Sequence, residues 1–540
     1  MTQRFTTALL LCLLAAPCQG ADAADAPALV VLIAVDQLRP DRISPSMPGG
    51  LGRMMREGFV YDSASLDHAL TNTCPGHVVI STGRNPANTG IPGNSYIDHA
   101  TMEDRYCVQD DDPAFSVPGT DDIRSPRAIT ASTLGDWLKA AEPGAKVFSV
   151  SGKDRAAITM GGAGADAAVW YHEDLAAFVT SGYYGDLPAY VTDFNGSNLF
   201  ENGAGASLPM TWDHPPGELR PDDFPGESSE FGRVAKRPLN SGITVERSAQ
   251  FVVSPYLDLL TGDLARIIAT EEKLGQRGVT DLLAISYSAT DRVGHLYGPF
   301  SAESEHALRL LDEEIAELLG FLDEQLDGNY LVALTADHGV LPLPEWLDEE
   351  NKLSCPVPGG RVDVNDLFFG LLWSLYWEFT FPFGNPMDLF GVSAAGTTVS
   401  ADAAAEHGTT VPAVTAFLEQ YLEAEPGIRG AWTAEEVLDG TTELARLYRN
   451  SYIEGLSGHL LLELEESCLI SGDEGTTHGT HYPYDRDVPM VFFGRGVRHG
   501  VSSDARHSID IAPTLGERLG LDVPEDLDGV ALDVWEAGSD

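Results

Sequence analysis

The chain has 540 residues, 82 acidic against 33 basic side chains, a formal charge of −49 and 43% hydrophobic content. Those values describe a globular protein of one large or several small domains. They leave no basic patch for nucleic acid, and most of the acids are read as a solvated surface that keeps the protein in solution.

Residues 1–26 read as a secretory signal peptide. Arg4 precedes the apolar run at residues 8–14, and small residues follow at 21–26, ahead of a cleavage site. The run is too short to span a bilayer. The expected mature chain is therefore periplasmic or secreted, without a transmembrane anchor. Cys12 and Cys18 leave with this segment, and Cys18, behind Ala-Ala-Pro, is a poor site for lipid attachment. Cys74, Cys107, Cys355 and Cys468 remain, enough for two disulfides. Four cysteines allow three pairings, and their spacing does not choose among them. No CxxC pair offers a cysteine zinc site.

Residues 28–35 (ALVVLIAV) predict a buried strand ending at Asp36. Residues 49–58 predict a short helix. In TNTCPGHVVISTG, from Thr71 to Gly83, a hydroxyl residue, Thr73, precedes Pro-Gly at a helix entry, where free N–H groups and the helix dipole favour anions. An ordinary N-cap is the competing reading. A turn-rich stretch follows, then a helix at 131–141 and a strand at 146–150 that runs into Ser151-Gly152-Lys153-Asp154-Arg155.

From 173 to 253 the pattern weakens into loops and excursions. A long helix at 255–274, a strand at 281–287 (DLLAISY), a second long helix at 303–326 and a strand at 330–335 (YLVALT) restore it. Residues 340–476 read as an insertion. It holds the aromatic run at 366–384, which is shorter than a membrane span and is read as core or an interdomain face, with a membrane-facing patch as the lesser alternative. A strand at 488–493 and a helix near 508–519 close the chain. Strands alternating with helices predict an α/β class: a three-layer α/β/α sandwich on a mostly parallel sheet, formed by residues 27–540 with insertions near 173–253 and 340–476.

The chemistry-bearing residues cluster at predicted strand ends: Asp36, Thr73, Asp291 with His295, Asp337 with His338, and His478 with His481. Carboxylate and imidazole together suit Zn²⁺ or a similar first-row metal. Each alone reads as well as a cap or a structural histidine. Together, at the edge of one sheet, they predict a two-metal site. Two metals fit in-line phosphoryl displacement, and a threonine hydroxyl needs such activation to attack.

VVLIAVDQLRPD, TNTCPGHVVISTG, GNSYID, SGKDRAAI, AISYSATDRVGHLYGP, LTADHGV and TTHGTHYPYDRDVPM together resemble the alkaline phosphatase superfamily. They are most similar to its phosphate-irrepressible (PafA-type) alkaline phosphatases, relatives of the nucleotide pyrophosphatase/phosphodiesterases. The resemblance implies two Zn²⁺ per chain, one on Asp291, His295 and His478, the other on Asp36, Asp337, His338 and the Thr73 oxygen. It implies that Asn94, Lys153 and Arg155 hold the phosphoryl oxygens. The activity it implies is a phosphomonoesterase acting on small phosphate esters through a phosphothreonine on Thr73. A phosphodiesterase on the same scaffold, or a non-catalytic phosphate- or metal-binding surface protein, are the other readings. His481 stands where the family usually has proline; spacing to Tyr484-Asp485 favours His478 as the ligand. Sequence does not give the oligomeric state.

Overall fold

The computed structural model describes residues 26–196, 211–239 and 249–537, so the expected signal peptide lies outside the described residues apart from Ala26. The strands of the main sheet are β1 Leu29–Val35, β2 Phe59–Tyr61, β3 Val147–Ser151, β4 Ala167–His172, β5 Ala177–Val179, β6 Asp281–Tyr287 and β7 Tyr330–Thr335. A second sheet contributes β8 Phe390–Ser393, β9 Gly396–Val399, β10 Ile428–Thr433 and β11 Leu460–Leu464. The chain then returns to the main sheet with β12 Met490–Gly494 and β13 Gly500–Ser502.

The main sheet runs β13-β2-β12-β7-β1-β6-β3-β4-β5. Its centre, β7-β1-β6-β3-β4, is parallel, and β12 and β5 are antiparallel to their inner neighbours. β1, β3, β6 and β7 are buried along their whole length, as apolar strands covered on both faces must be. Their side chains alternate. Leu29, Val31, Ile33 and Val35 face one helical layer, while Val30, Leu32 and Ala34 face the other.

The helices that form those layers are α1 Gly50–Glu57, α2 Thr73–Thr82, α3 Leu134–Ala141, α4 Asp154–Gly161, α5 Tyr256–Glu271, α6 Ala289–Tyr297, α7 Ala302–Leu326 and, near the end, Ile511–Arg518. α1, α5, α6 and α7 share the first layer's core; α2, α3, α4 and the last helix share the second. The expected α/β/α sandwich is the observed architecture. Within 173–253 the described residues are mostly irregular, with β5, a short helix Ala189–Gly196 and a small strand pair Thr211–Trp212 with Arg237–Pro238.

Within 340–476 the residue pattern predicts no individual strands or helices. The structure has the four-stranded sheet β8-β9-β11-β10, packed on α8 Val364–Leu375 and α9 Val411–Glu423 around a separate core. The aromatic run corrects the sequence reading. Leu371 and Leu375 enter that core, but Phe369, Trp373, Trp377, Phe381 and Phe383 are exposed. A helix that is apolar all round buries only the stripe that meets its sheet. The cysteines pair Cys74–Cys107 and Cys355–Cys468. Among the described residues no helix is long and apolar enough to cross a membrane.

The start of α6 is held from below by α5. The buried Asp258 Oδ1 accepts from the N–H groups of Ser288 (2.8 Å) and Ala289 (2.9 Å), which open that helix. Burial pushes its carboxyl up to about 7, against the pull of those N–H groups. The folded protein thus keeps a proton that the unfolded chain releases near the ordinary value of 3.8. Stability from this group is full below that value and is lost as pH rises through about 7, at up to ~1.4 kcal/mol per pH unit. Asp258→Asn keeps an acceptor for the same N–H groups without the charge. Melting temperatures at about pH 5 and about pH 8 check this: the variant's advantage over the native chain is expected to grow with pH. A constant difference would refute it.

Candidate metal centre and nucleophile

The four adjacent strands β7, β1, β6 and β3 end level with one another, since Val35 pairs Tyr287, Ala34 pairs Thr335 and Ser286 pairs Ser151. Each hands a polar residue to the same crevice beyond its carboxyl end, where open α/β sheets bind ligands. Asp36 follows β1, and Asp337-His338 follow β7. Asp291 and His295 lie on α6 after β6, four residues apart on one helix face. Lys153 and Arg155 follow β3. Thr73 is the first residue of α2, and His478 comes from the loop before β12.

Two donor groups result. Asp291, His295 and His478 form one; Asp36, Asp337 and His338 form the other, with the ligand atoms of each group within 4.8 Å of one another. Thr73 Oγ1 lies 3.5 Å from His338 Nε2. His338 and His478 stack face to face with ring centroids 3.5 Å apart, so the groups adjoin.

Each histidine has one nitrogen committed to backbone. Nδ1 of His295 donates to the Thr476 carbonyl (2.8 Å), that of His338 to Gly339 (3.0 Å) and that of His478 to Thr71 (2.6 Å). That fixes the tautomer and leaves every Nε2 as a lone pair turned toward the acids. Burial holds the His338 and His478 imidazoles below their ordinary value, and so open to metal. Asp36 Oδ1 and Asp337 Oδ2 are buried without a hydrogen-bond partner. Orphaned carboxylate oxygens beside free imidazole lone pairs fit first-row divalent metals.

The local charge is as uneven as this implies. Lys153 Nζ lies 2.5 Å from both Asp36 Oδ2 and Asp291 Oδ2, one cation shared between the donor groups. Burial and the neighbouring Asp337 push the Asp36 carboxyl well up. Burial opposes ionisation of Asp291 too, but His295 and Lys153 outweigh it and hold that carboxyl well below the usual range.

Sequence reasoning missed the residues behind the ligands. Gln37, in a left-handed conformation at φ 67°, donates from Nε2 to Asp291 Oδ1 (2.8 Å) and from its backbone to Asp337 Oδ1 (3.1 Å). His77 Nδ1 donates to the Thr73 carbonyl (2.9 Å), its Nε2 accepts from Ser286 Oγ (2.8 Å), and the ring lies 3.2 Å from Asp337 Oδ2 without hydrogen-bonding it. Gly76 lets α2 approach, since a Cβ there would lie 2.2 Å from the Asp337 carbonyl oxygen. Asp485 accepts from Gly479 N, Thr480 N and Thr480 Oγ1 and so fixes the loop behind His478. Tyr106 donates to Asp154 (2.6 Å) and accepts from Arg155 (3.3 Å). The Asn94 side-chain oxygen takes the Cys74 N–H (2.7 Å), leaving its NH₂ as the free end. His481 turns away toward Glu463, 3.8 Å distant. A third acid–histidine group among the described residues, His214, Asp222 and Glu303, is already engaged by the Arg237 guanidinium, which reaches His214 Nε2 (3.3 Å) and Glu303.

The family model for type I phosphodiesterase / nucleotide pyrophosphatase matches residues 30–359. The chain belongs to this family. It is 32% identical over 524 residues to the alkaline phosphatase PhoV of Synechococcus elongatus, covering 92% of this chain and 91% of that protein. To the alkaline phosphatase PhoK of Sphingomonas sp it is 33% identical, covering 96% and 93%. The crystal structure of the alkaline phosphatase PafA superposes with a TM-score of 0.81 at 26% identity, over 94% of this chain and 99% of that one. The chain is an alkaline phosphatase-type hydrolase with metal-ligand groups in place.

Metal removal tests the donor groups directly. Chelation is expected to strip bound metal from the hydrolase and abolish its activity. It should also lower its melting temperature, because buried carboxylates lose their partners. Elemental analysis before and after, with melting curves, measures both. Full activity without metal would refute the assignment.

Proposed function

We propose that the protein is an exported phosphomonoesterase that uses Thr73 as nucleophile and forms a phosphothreonine. The observation that carries this reading is the placement of Thr73 at the start of α2, 3.5 Å from a ligand histidine and beside the two donor groups. Those groups would hold two Zn²⁺, Asp291, His295 and His478 one, and Asp36, Asp337, His338 and the Thr73 oxygen the other. Bound there, the metals would supply Lewis-acid charge that favours the threonine alkoxide and the departing oxygen.

The chain's own residues do the rest. Thr73 Oγ attacks phosphorus in line, the bond to the ester oxygen breaks, and the alcohol leaves. Water then attacks the phosphothreonine, releasing phosphate and restoring the hydroxyl. The Asn94 NH₂, Lys153 and Arg155 hold the non-bridging oxygens. Arg155 offers a planar fork and Lys153 a point charge, and both act where negative charge sits in the transition state. The two disulfides support export to an oxidising compartment.

The family's own description favours a second reading, a phosphodiesterase on the same residues. A diester replaces one charged oxygen with an ester oxygen and gains less from the cation pair. Lys153→Ala and Arg155→Ala are therefore expected to lower kcat/KM for a monoester by about 10²–10³, and far less for a matched diester. Equal losses on the two substrates would move the diester reading ahead. For the nucleophile, Thr73→Ala is expected to lose several orders of magnitude in kcat with the fold intact. Thr73→Ser, which keeps the oxygen, should retain much more. Mass spectrometry of acid-quenched enzyme locates the phosphoryl group, and finding it on another residue would overturn the assignment.

A further inference from the structure

α8 is apolar on two sides, and only one of them is used by the fold. Leu371 and Leu375 are buried in the core of the second sheet, with Leu367, Phe368 and Leu372 partly so. The other side carries Phe369 and Trp373, followed at the same four-residue interval by Trp377 in the helical turn Tyr376–Thr380 that continues α8, and then by Phe381 and Phe383. These five are 67, 65, 53, 55 and 97% exposed. They form one surface. Trp377 stacks on Phe381 with ring centroids 4.6 Å apart, and Trp373 meets Trp377 edge-on at 5.8 Å. Together they expose about 700 Å² of aromatic surface, beyond the ~300–600 Å² of the largest patch on an ordinary monomer.

Charge identifies what this surface takes. Residues 362–428 contain nine acids and neither lysine nor arginine. A second copy would bring two such segments together on chains of −49 each, and an anionic bilayer would be repelled in the same way. A zwitterionic lipid surface has the complementary chemistry. Tryptophan and phenylalanine rings partition into the headgroup boundary. Around the stripe the exposed Asp366, Glu378 and Asp388 form an acidic rim that suits the quaternary or primary ammonium of neutral headgroups. We propose that the outer face of α8 and its following turn dock the protein on a zwitterionic lipid surface, with the aromatic rings in the headgroup layer and the acidic rim against the headgroup ammonium groups.

Flotation of the metal-loaded full chain with phosphatidylcholine vesicles tests this. The native protein is expected to float with the vesicles, and more weakly when part of the lipid is phosphatidylglycerol, a difference that added salt removes. Trp373→Ala combined with Trp377→Ala should weaken vesicle binding at least about tenfold while kcat/KM on a soluble phosphate ester stays within about twofold. Phe383→Asp, at a side chain with almost no packing, should do the same and cannot act by unfolding the core. No flotation with phosphatidylcholine would overturn the proposal, as would equal binding by these variants or stronger binding to the anionic vesicles. Concentration-dependent dimers in sedimentation velocity that Phe383→Asp abolishes would overturn it in favour of a second copy.

Discussion

Three carboxylates, Asp36, Asp291 and Asp337, are buried within one crevice at the edge of the main sheet, with the Lys153 ammonium shared between two of them. Bringing like charges together out of water costs several kcal/mol per unpaired ion, so this arrangement is tolerable only when cations complete it. Much of the surrounding structure answers to that demand. Four strands without an interior charge hold their ends level; three backbone carbonyls orient the histidines; Asp258 and Asp485 fix the helix and loop that deliver Asp291, His295 and His478. Metal binding and the stability of this crevice are then one equilibrium viewed from two sides.

The central strands were legible in sequence because a strand buried on both faces must be apolar throughout, as in LVVLIAV and DLLAISY, and such runs have few other meanings. The two donor groups were legible as candidates because acids and histidines at the ends of such runs have little structural reason to recur. The residues behind them were not. Gln37 acts through a left-handed backbone and a contact 254 residues away, and His77 sits in what reads as the entry to an apolar helix. β4 and the second sheet escaped notice for a different reason. β4 is a short apolar run that length does not separate from a helix segment, while the strands of the second sheet are short and partly exposed, and β9 and β10 find their partner β11 only further along the chain. The aromatic run misled because composition says that a helix is apolar without saying how much of it finds a partner.

The stretch after α2 shows how one small hairpin joins separate parts of the site. Asn94 and Cys107 are its two ends. Asn94 accepts the Cys74 N–H through its side chain and the Cys107 N–H through its carbonyl, and Cys107 is covalently bound to Cys74, the residue after Thr73. Between them Tyr106 reaches Asp154 and Arg155. The start of α2, the proposed phosphate arginine and Asn94 are thus tied to one another by about a dozen residues of hairpin, without support from the main sheet. β8 leans on the same hairpin, where Gly391 lies so close to Ile97 that a Cβ would come within 2.4 Å of its side chain. The second sheet therefore bears on the site through the element that carries Asn94.

The charge of −49 sits awkwardly with an anionic substrate only if charge acts at a distance. In salt of physiological strength the field of an exposed acid fades within about 8 Å, so acids across the surface influence the rate of encounter more than the energy of binding. Inside the crevice water is scarce and screening weak, and the groups that count are those whose side chains are buried there. Lys153 is among them, and the Arg155 guanidinium is held charged by Tyr106 and Asp154 against the burial that would discharge it. Add the dipole of α2, whose amino end carries Thr73, and the potential there is set within a few ångströms by groups of the crevice itself. A surface this acidic can coexist with the proposed anion site because the sheet edge separates the two: Asp36, Asp291 and Asp337 are buried in the crevice beside Lys153 and the histidines, and most of the other acids are left to water.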